Sequence, residues 1–408
     1  MNKVREGYKI TEIGDIPIEW EVRYLEDVCE ILDSYRKPIK ASDREEMKGD
    51  IPYYGASGVI DWINDFIFDE ELILLGEDGE NLNSRNTDLA FKISGKSWVN
   101  NHAHVFRIAN KNRDNIDFMV YYLESKDYSR YIAGSAQPKI TQAQCRKFLL
   151  PSPDLKEQEK IASILSTVDE QIDNVDALIE KNKELKKGLM QTLLTKGIGH
   201  TKFKKTEIGE IPEKWEVNNL GNIVEVISGA TPKTNINEYW DNGDIYWATP
   251  SDITSNGKYI SVTEKKITEN GLRNCSAKLL PIGSILMSSR ATIGERCINT
   301  VPMTTNQGFK SLVCKDGINN EFIYYYVDIL KEKLMGLASG STFLEVSKKV
   351  VEDIKVVIPS LEEQEKIASI LSEVDKKISK YKNKKQKLEE LKKGLMQQLL
   401  TGMIRVTV

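Results

Sequence analysis

Two stretches of the chain are near copies of each other, and they decide its fold. Residues 155–195 read LKEQEKIASILSTVDEQIDNVDALIEKNKELKKGLMQTLLT, and residues 361–401 read LEEQEKIASILSEVDKKISKYKNKKQKLEELKKGLMQQLLT. Aligned without a gap, they agree at about two-thirds of positions, mostly towards their two ends. A repeat of this length predicts a chain built from two related halves.

Both copies carry the boundary signals of a long helix. Each begins with the spacing of a capping box, in which an N-cap side chain binds a backbone N–H further along. These pairs are Asp154 with Glu157 and Ser360 with Glu363. Gly197 and Gly402 follow the last turns, where a helix C-terminus favours a residue with positive φ. At about 1.5 Å per residue, each helix is expected to be about 60 Å long.

Apolar residues recur along both helices with a heptad spacing. Two such seams bury each other well as a coiled coil. Because a globular segment separates the helices within one chain, the simplest packing is antiparallel. The predicted helix–helix interface consists of Ile161, Ile164, Val168, Val175, Leu178, Leu185, Leu189, Ile367, Ile370, Val374, Tyr381, Leu388, Leu391 and Leu395.

The repeat extends beyond the helices to a leader that introduces each half. TEIGDIPIEWEV at residues 11–22 returns as TEIGEIPEKWEV at residues 206–217. Short β-rich runs separated by Gly, Asn, Asp and Ser follow each leader, with one helical patch each. We predict an α+β protein in which two globular domains are separated by two long helices that form an antiparallel coiled coil. The expected boundaries are 1–153, 154–197, 198–359 and 360–402.

Composition excludes several classes of protein. The formal net charge of −4 argues against a protein that coats nucleic acid by bulk charge. The five cysteines form no CxxC pair, so neither a zinc knuckle nor a disulfide framework is indicated. The sequence lacks a secretory leader and an apolar run of about 18 residues. We therefore expect a cytoplasmic protein without a membrane partner.

A search for catalytic motifs predicts that the chain is not an enzyme. Residues 95–97 (GKS) end like a phosphate-binding loop, but Ala90 stands where that loop requires glycine. Residues 51–54 (IPYY) lack the leading Asn or Asp with which amino-methyltransferases hold a target amine. His102 and His104 have a spacing seen in metal sites, yet a third ligand is not evident nearby. We expect no metal and no cofactor in this chain.

The combination of repeats and motifs resembles the specificity subunits of type I restriction–modification systems. Supporting phrases are TEIGEIP at residues 206–212, GSILMSSR at 283–290 with Ile293 and Gly294, and GSTF at 340–343. The resemblance covers essentially the whole chain. It implies two target-recognition domains, each followed by a conserved helix, and a bipartite, asymmetric DNA target of which each domain reads one half.

The same resemblance implies partners. The helices would fix the gap between the half-sites and dock two modification (methyltransferase) subunits, which would carry S-adenosylmethionine. Two restriction (translocase/nuclease) subunits would bind optionally. The other two functions considered are a coiled-coil scaffold that does not read DNA and a stand-alone DNA methyltransferase or nuclease.

Polar loop residues are the candidates for reading bases, because amide, guanidinium, ammonium and hydroxyl groups discriminate base edges in the major groove. In the first domain they are Asn100, Asn101, His102, His104, Gln137 and Lys139. In the second they are Thr231, Lys233, Ser288, Ser289, Arg290, Thr305, Asn306, Gln307, Ser341 and Thr342. The pairs Asn101–His102 and Asn306–Gln307 are predicted to occupy matching loops. The rival interpretation is that these side chains only cap their own loops.

Overall fold

The computed structural model describes residues 5–134, 137–255, 257–339 and 344–407. The chain forms two compact units, one of Met1–Ala177 with Lys382–Val408 and one of Leu178–Tyr381. Helices run over Leu155–Lys196 and Leu361–Leu399, which confirms both predicted long helices. We call them the first and second spacer helix. Each helix is divided between the two units, with one end in each. In the described part of the chain, no helix is long and apolar enough to span a bilayer.

The first unit contains a domain built on two four-stranded sheets. One sheet has the order Gly58–Ile63, Lys48–Gly55, Lys96–Val99, Phe68–Asp69, and the other has the order Cys29–Ile31, Ala103–Ile108, Leu72–Gly76, Ala90–Ile93. Two further pairs join Tyr8–Thr11 to Gly14–Pro17 and Glu21–Tyr24 to Leu149–Ser152. Short helices cover Leu25–Val28, Ala41–Glu46, Asn81–Ser84, Ile116–Ser125 and Gln142–Arg146, with a 3₁₀ turn at Asp33–Tyr35.

The strand Leu72–Gly76 organises the core of this domain, because all of its residues are buried. Ile73 and Leu75 pack in one cluster with Met119 of the helix Ile116–Ser125. Leu72 and Leu74 alternate onto the opposite side of the strand and belong to a second cluster. A strand covered on both sides reads as a continuous apolar run rather than an alternating one.

The second unit contains a domain of the same character. A five-stranded sheet has the order Val224–Ser228, Lys310–Cys314, Ile285–Met287, Arg296–Asn299, Tyr259–Ile260, and a three-stranded sheet has the order Lys265–Ile267, Ile245–Ala248, Met303–Thr305. Two-stranded pairs join Phe203–Thr206 to Gly209–Pro212 and Glu216–Asn219 to Lys355–Ile358. Helices cover Leu220–Ile223, Pro250–Ser255, Glu269–Arg273, Asn320–Leu337 and Lys348–Asp353, with a 3₁₀ turn at Asn237–Tyr239.

The spacer helices pair in antiparallel fashion within each unit, as predicted. In the first unit the Asp169 carboxylate lies 2.6 Å from Lys392 Nζ, and Asp176 lies 2.6 Å from Lys385 Nζ. Residue numbers rise along one helix as they fall along the other, which defines the antiparallel direction. In the second unit Asp375 lies 2.7 Å from Lys186 Nζ. This pair repeats Asp169 with Lys392, since both residues occupy matching positions in the duplicated sequence.

The buried faces of the helices differ in part from the predicted interface. Five predicted residues are buried and five more are partly buried; the buried ones are Ile161, Val168, Val175, Ile367 and Val374, and the partly buried ones are Ile164, Leu189, Tyr381, Leu388 and Leu395. Four are exposed by between 38% and 50%: Leu178, Leu185, Ile370 and Leu391. For these four the prediction is wrong.

The correction has a physical reason. The second inner column of each helix lies one residue later than predicted, at Leu165 and Ile179 in the first helix and at Leu371 in the second, all buried. At Lys186 and Lys392 this column carries lysine instead of the neighbouring leucine. A lysine stem can cover apolar surface while its ammonium group reaches a carboxylate. At Leu178–Ile179 and Ile370–Leu371 the sequence offers apolar residues in both the predicted and the observed column, so periodicity alone does not choose between the columns.

Each domain is tied to the spacer helices by a duplicated contact. Tyr121, on the helix Ile116–Ser125, donates from its hydroxyl to Asp169 Oδ2 over 2.7 Å, and Lys392 Nζ lies 5.5 Å from the centre of the Tyr121 ring. Burial and the Asp169 carboxylate raise the pKa of Tyr121, so its phenol stays protonated and donates. The second unit repeats this with Tyr325, Asp375 and Lys186, the phenol donating over 2.6 Å.

A second duplicated contact joins each leader to a helix start. In the first unit Trp20 Nε1 donates to Glu157 Oε2 over 2.9 Å. In the second, Trp215 Nε1 donates to Glu363 Oε2 over 3.0 Å. Asp154 Oδ1 accepts from the Glu157 backbone N–H over 3.0 Å, as the capping box predicts. The glutamate side chain, however, turns to the leader tryptophan.

Candidate nucleic-acid interface

Several loops of the first domain meet at the ends of its strands. The parallel neighbours Lys48–Gly55 and Lys96–Val99 end together, and the Asn100 backbone N–H donates to the Tyr54 carbonyl over 3.1 Å. The Glu77 N–H donates to the His102 carbonyl over 2.8 Å, which joins the end of Leu72–Gly76 to the same turn. Gly79 N–H donates to the Pro138 carbonyl over 3.1 Å and brings in a further loop.

The second domain brings together the corresponding loops. Asn306 N–H donates to the Ala248 carbonyl over 3.0 Å, and Ser289 N–H donates to the Gly308 carbonyl over 2.7 Å. Ala230 N–H donates to the Thr305 carbonyl over 3.0 Å. Candidate residues that are distant in sequence therefore lie side by side in each domain.

Asn100 and Asn306 occupy equivalent places in the two domains. Asn100 Oδ1 accepts from the His102 N–H over 2.8 Å, and Asn306 Oδ1 accepts from the Gly308 N–H over 2.8 Å. Both side chains thus close their own turns. The two loops match, as expected, but these hydrogen bonds make Asn100 the counterpart of Asn306. The prediction pairs Asn101 with Asn306, one residue further along.

Several candidates present polar groups at the surface of these loops. Asn101, His102, Gln137, Lys139, Lys233 and Gln307 are exposed, and Thr231, Arg290 and Asn306 are partly buried. His102 Nδ1 lies 2.8 Å from Asp78 Oδ1, and the Thr231 hydroxyl donates to Gln307 Oε1. Each of these contacts holds a side chain in a defined direction.

Five candidates are buried and cannot present a group to a base: Asn100, His104, Ser288, Ser289 and Thr305. The Ser289 hydroxyl donates to the Gly308 carbonyl over 3.1 Å, and the Ser288 hydroxyl donates to the Thr292 carbonyl. For Asn100, His104, Ser288 and Ser289 the rival interpretation holds, because their polar side-chain atoms bind groups of their own domain. Ser341 and Thr342 lie outside the described residues.

His104 belongs to a charged network beneath the loops of the first domain. Its Nδ1 lies 2.6 Å from Asp33 Oδ2, and its Nε2 lies 2.9 Å from the Ile140 carbonyl oxygen. Nearby, Glu77 accepts from Arg36 Nη1 over 2.5 Å and from Lys139 Nζ over 2.9 Å. Burial alone would raise the pKa of Glu77, but the hydrogen bonds from Lys139 and Arg36 outweigh it and lower that pKa.

The carboxylates of this network are already neutralised by protein cations. Asp33, Glu77 and His104 bring three potential ligand atoms within 4.8 Å of one another, the geometry of a possible metal site. Arg36 and Lys139 occupy the positions around these carboxylates, however, and a bound cation would have to displace them. The arrangement fits an internal ion network that holds the loops.

The second domain has an ion network with reversed signs at the matching place. Lys139 forms an isolated backbone bridge with Asp78, and Glu345 forms the corresponding bridge with Arg290. Glu345 accepts from Arg290 Nε over 2.8 Å and from Lys310 Nζ over 3.0 Å. Although burial by itself raises the pKa of Glu345, the hydrogen bonds from Arg290 and Lys310 lower it. The two loop clusters therefore share a framework but differ in local charge.

Sequence reasoning missed one group of surface residues beside these loops. Val59, Ile60 and Trp62 lie on the strand Gly58–Ile63 and are exposed by 43%, 54% and 52%. Their exposure follows from the position of the strand at the edge of its sheet, which the sequence alone does not reveal.

Comparison with known proteins identifies the family. The family model for the type I restriction modification DNA specificity domain matches twice, at residues 17–186 and 212–390. A putative type I restriction enzyme MjaX specificity subunit of Methanocaldococcus jannaschii is 32% identical, covering 98% of this chain and 97% of its own. The MjaVIII specificity subunit of the same organism is 29% identical, covering 98% and 96%.

Solved structures show the same fold. The S subunit of a type I restriction–modification system from M. genitalium matches with a TM-score of 0.60 at 17% identity, over 96% of this chain and 97% of that one. A chain from a study of type I R-M complex assembly matches with a TM-score of 0.57 at 18% identity, over 95% and 99%. Both domains and both spacer helices fall within the matched lengths. The chain belongs to the type I restriction–modification DNA specificity family, the non-catalytic recognition subunits of these systems.

Proposed function

We propose that each domain reads one half of a bipartite, asymmetric duplex DNA target through its loop cluster, and that the spacer helices set the unread gap. The observation that carries this is the duplication itself: one framework appears twice, with different side chains at the exposed loop positions. Asn101 and His102 stand in the first domain where Gln307 and Gly308 stand in the second. Different donors and acceptors on one framework suit two different half-sites.

The helix length supports the role as a ruler. Spacer helices of 42 and 39 residues measure about 60 Å at about 1.5 Å per residue. This exceeds one turn of B-DNA, about 34–36 Å. The duplicated tyrosine–aspartate–lysine contacts fasten each domain to the helices, so a change in helix length would be transmitted to the domains.

Two equivalent clefts support the docking of two identical partner subunits. One, of about 610 Å³, is lined in part by Met190 and Gln191 of the first spacer helix, and the other, of about 630 Å³, by Met396 and Gln397 of the second. Each cleft also borders the helix of a domain, at Ile329 in the second unit and at Glu124 and Ser125 in the first. Matching clefts with matching residues suit two copies of one partner.

In this proposal the partners are two modification subunits, which carry S-adenosylmethionine and perform the methylation. Restriction subunits would join the same complex, and the chain itself would hold neither cofactor nor metal. Its place of action would be the cytoplasm.

The test is reconstitution in a host that lacks such a system. The chain is co-expressed with its modification subunit, and methylated positions are mapped by long-read sequencing. We expect one bipartite motif that requires both proteins. Native mass spectrometry of the complex should find two modification subunits, and Met190→Lys or Met396→Lys should each reduce that number to one. A stable complex that methylates no specific motif and ignores duplex DNA at low salt would favour a scaffold instead.

A further inference from the structure

The edge strand Gly58–Ile63 of the first domain carries an exposed apolar cluster made of Val59, Ile60 and Trp62. These side chains are 43%, 54% and 52% exposed. An exposed apolar edge strand promotes aggregation unless something covers it. The cluster is therefore expected to meet a ligand.

The backbone of the strand is shaped to direct Ile60 outward. Tyr53 pairs with Asp61 and Tyr54 pairs with Val59, with a shift in register between the two pairs. Ile60 is the extra residue of this β-bulge. Bulges occur beside functional sites, where they redirect a side chain.

Ile60 lies directly beside the base-reading loops proposed above. A Cβ atom built on Gly55 would lie 3.1 Å from Ile60 Cγ2 and 3.6 Å from Asn100 Nδ2. Ile60 and the turn that begins at Asn100 are thus neighbours across a glycine that has no side chain to separate them. Asn101 and His102, both exposed, belong to that turn.

Among the described residues of the second domain, no strand carries a matching apolar cluster at this place. The edge strand at the matching position of its sheet, Lys265–Ile267, carries two exposed lysines and the buried Ile267. A protein partner present in two copies would need the same surface on both domains. An apolar cluster on one domain alone suits the ligand that differs between the domains, which is the DNA half-site.

We propose that Ile60 is a specificity-determining residue of the first domain, and that it contacts the C5 methyl group of a thymine in the major groove. Val59 and Trp62 would flank this contact and exclude water from it. Apolar side chains recognise thymine through this methyl group. The inference rests on the proposed function, since it names one contact within the first half-site.

The test uses the complete complex with its modification subunits. After the motif has been mapped, binding is measured on duplexes in which each thymine is replaced in turn by uracil, which lacks only the methyl group. The complex is compared with the variant Ile60→Ala. Ile10→Ala is the matched control, because Ile10 is 69% exposed on the leader hairpin of the same domain.

We expect uracil at one position of one half-site to weaken binding of the unaltered complex about four-fold, the value for one buried methyl group. The variant Ile60→Ala should bind the thymine duplex more weakly and should lose nothing further on uracil substitution there, because the two changes remove the same contact. Ile10→Ala should respond like the unaltered complex.

Three results would overturn the inference. One is additive loss at every uracil position, and another is a first half-site without an A·T pair. The third is loss of a modification subunit from the Ile60→Ala complex with an unchanged motif, which would make the cluster a protein interface. If the unaltered complex methylates no bipartite motif, the proposed function fails as a whole, and the two failures are thereby distinguished.

Discussion

Replacing Arg405 should loosen the contact between the first leader and the first spacer helix. The Glu157 side chain is 1% exposed and accepts from Arg405 Nε over 2.7 Å and from Arg405 Nη2 over 3.0 Å. In Arg405→Ala, Trp20 would be the one side chain among the described residues that still donates to this carboxylate. A buried charged acceptor that loses its partner costs about 1–3 kcal/mol or more. Because Arg405 is 41% exposed and partly screened, we expect about 2 kcal/mol.

Hydrogen exchange measured by mass spectrometry localises this effect. Amides of residues 17–28 and 155–168 should exchange about thirty-fold faster in Arg405→Ala, since about 1.4 kcal/mol corresponds to a factor of ten. Residues 212–223 and 361–374, around the equivalent contact of Trp215 with Glu363, should be unchanged. Arg273→Ala serves as a control, because its pair with Glu269 is exposed. Equal acceleration in both units, or none in the first, would show that Arg405 does not hold this contact.

Three further predictions concern base recognition, the length of the unread gap and the pH dependence of stability. Gln307→Ala should weaken recognition at one half-site only, by about 1–3 kcal/mol if the contact is bidentate, and methylome mapping measures this loss. Asn306→Ala should instead destabilise its own turn, which thermal unfolding detects. Inserting seven residues into the middle of both spacer helices keeps the seam in phase and should lengthen the unread gap by about 10 Å, or about three base pairs, with both half-sites unchanged. Because the folded-state pKa of Glu77 is lowered from 4.5, its contribution to stability is present above that value and is lost as the pH falls through the lowered pKa. The melting temperature of Glu77→Gln should therefore change less than that of the unaltered chain between about pH 6 and about pH 3, and an equal change would contradict the assignment.

Most of the architecture could be predicted because the sequence contains a long internal repeat. The duplicated leader and helix determine two domains, two long helices and their antiparallel pairing. The choice of buried column could not be predicted, since Leu178 and Ile179 are both apolar and only the partner helix distinguishes them. Lys186 illustrates the same limit: a lysine enters the seam because Asp375 lies within reach.

The candidate site could be predicted as a group of loops but not residue by residue. Polar residues in loops serve two purposes, and sequence does not separate them. Ser289 and His104 satisfy buried partners, whereas Asn101 and Gln307 are exposed. Ile60 escaped prediction for the opposite reason, because an isoleucine in a strand is expected inside. Its exposure follows from a bulge and an edge position, both of which depend on pairing between strands.

In the proposed function, two independent domains read two half-sites across a gap set by the spacer helices. The decisive measurement exchanges residues 17–153 for the same segment of a relative, leaves the rest of the chain unchanged, and maps the methylome by long-read sequencing. We expect that one half-site changes while the other half-site and the length of the gap stay the same. A change in both half-sites, or in the gap, would contradict it.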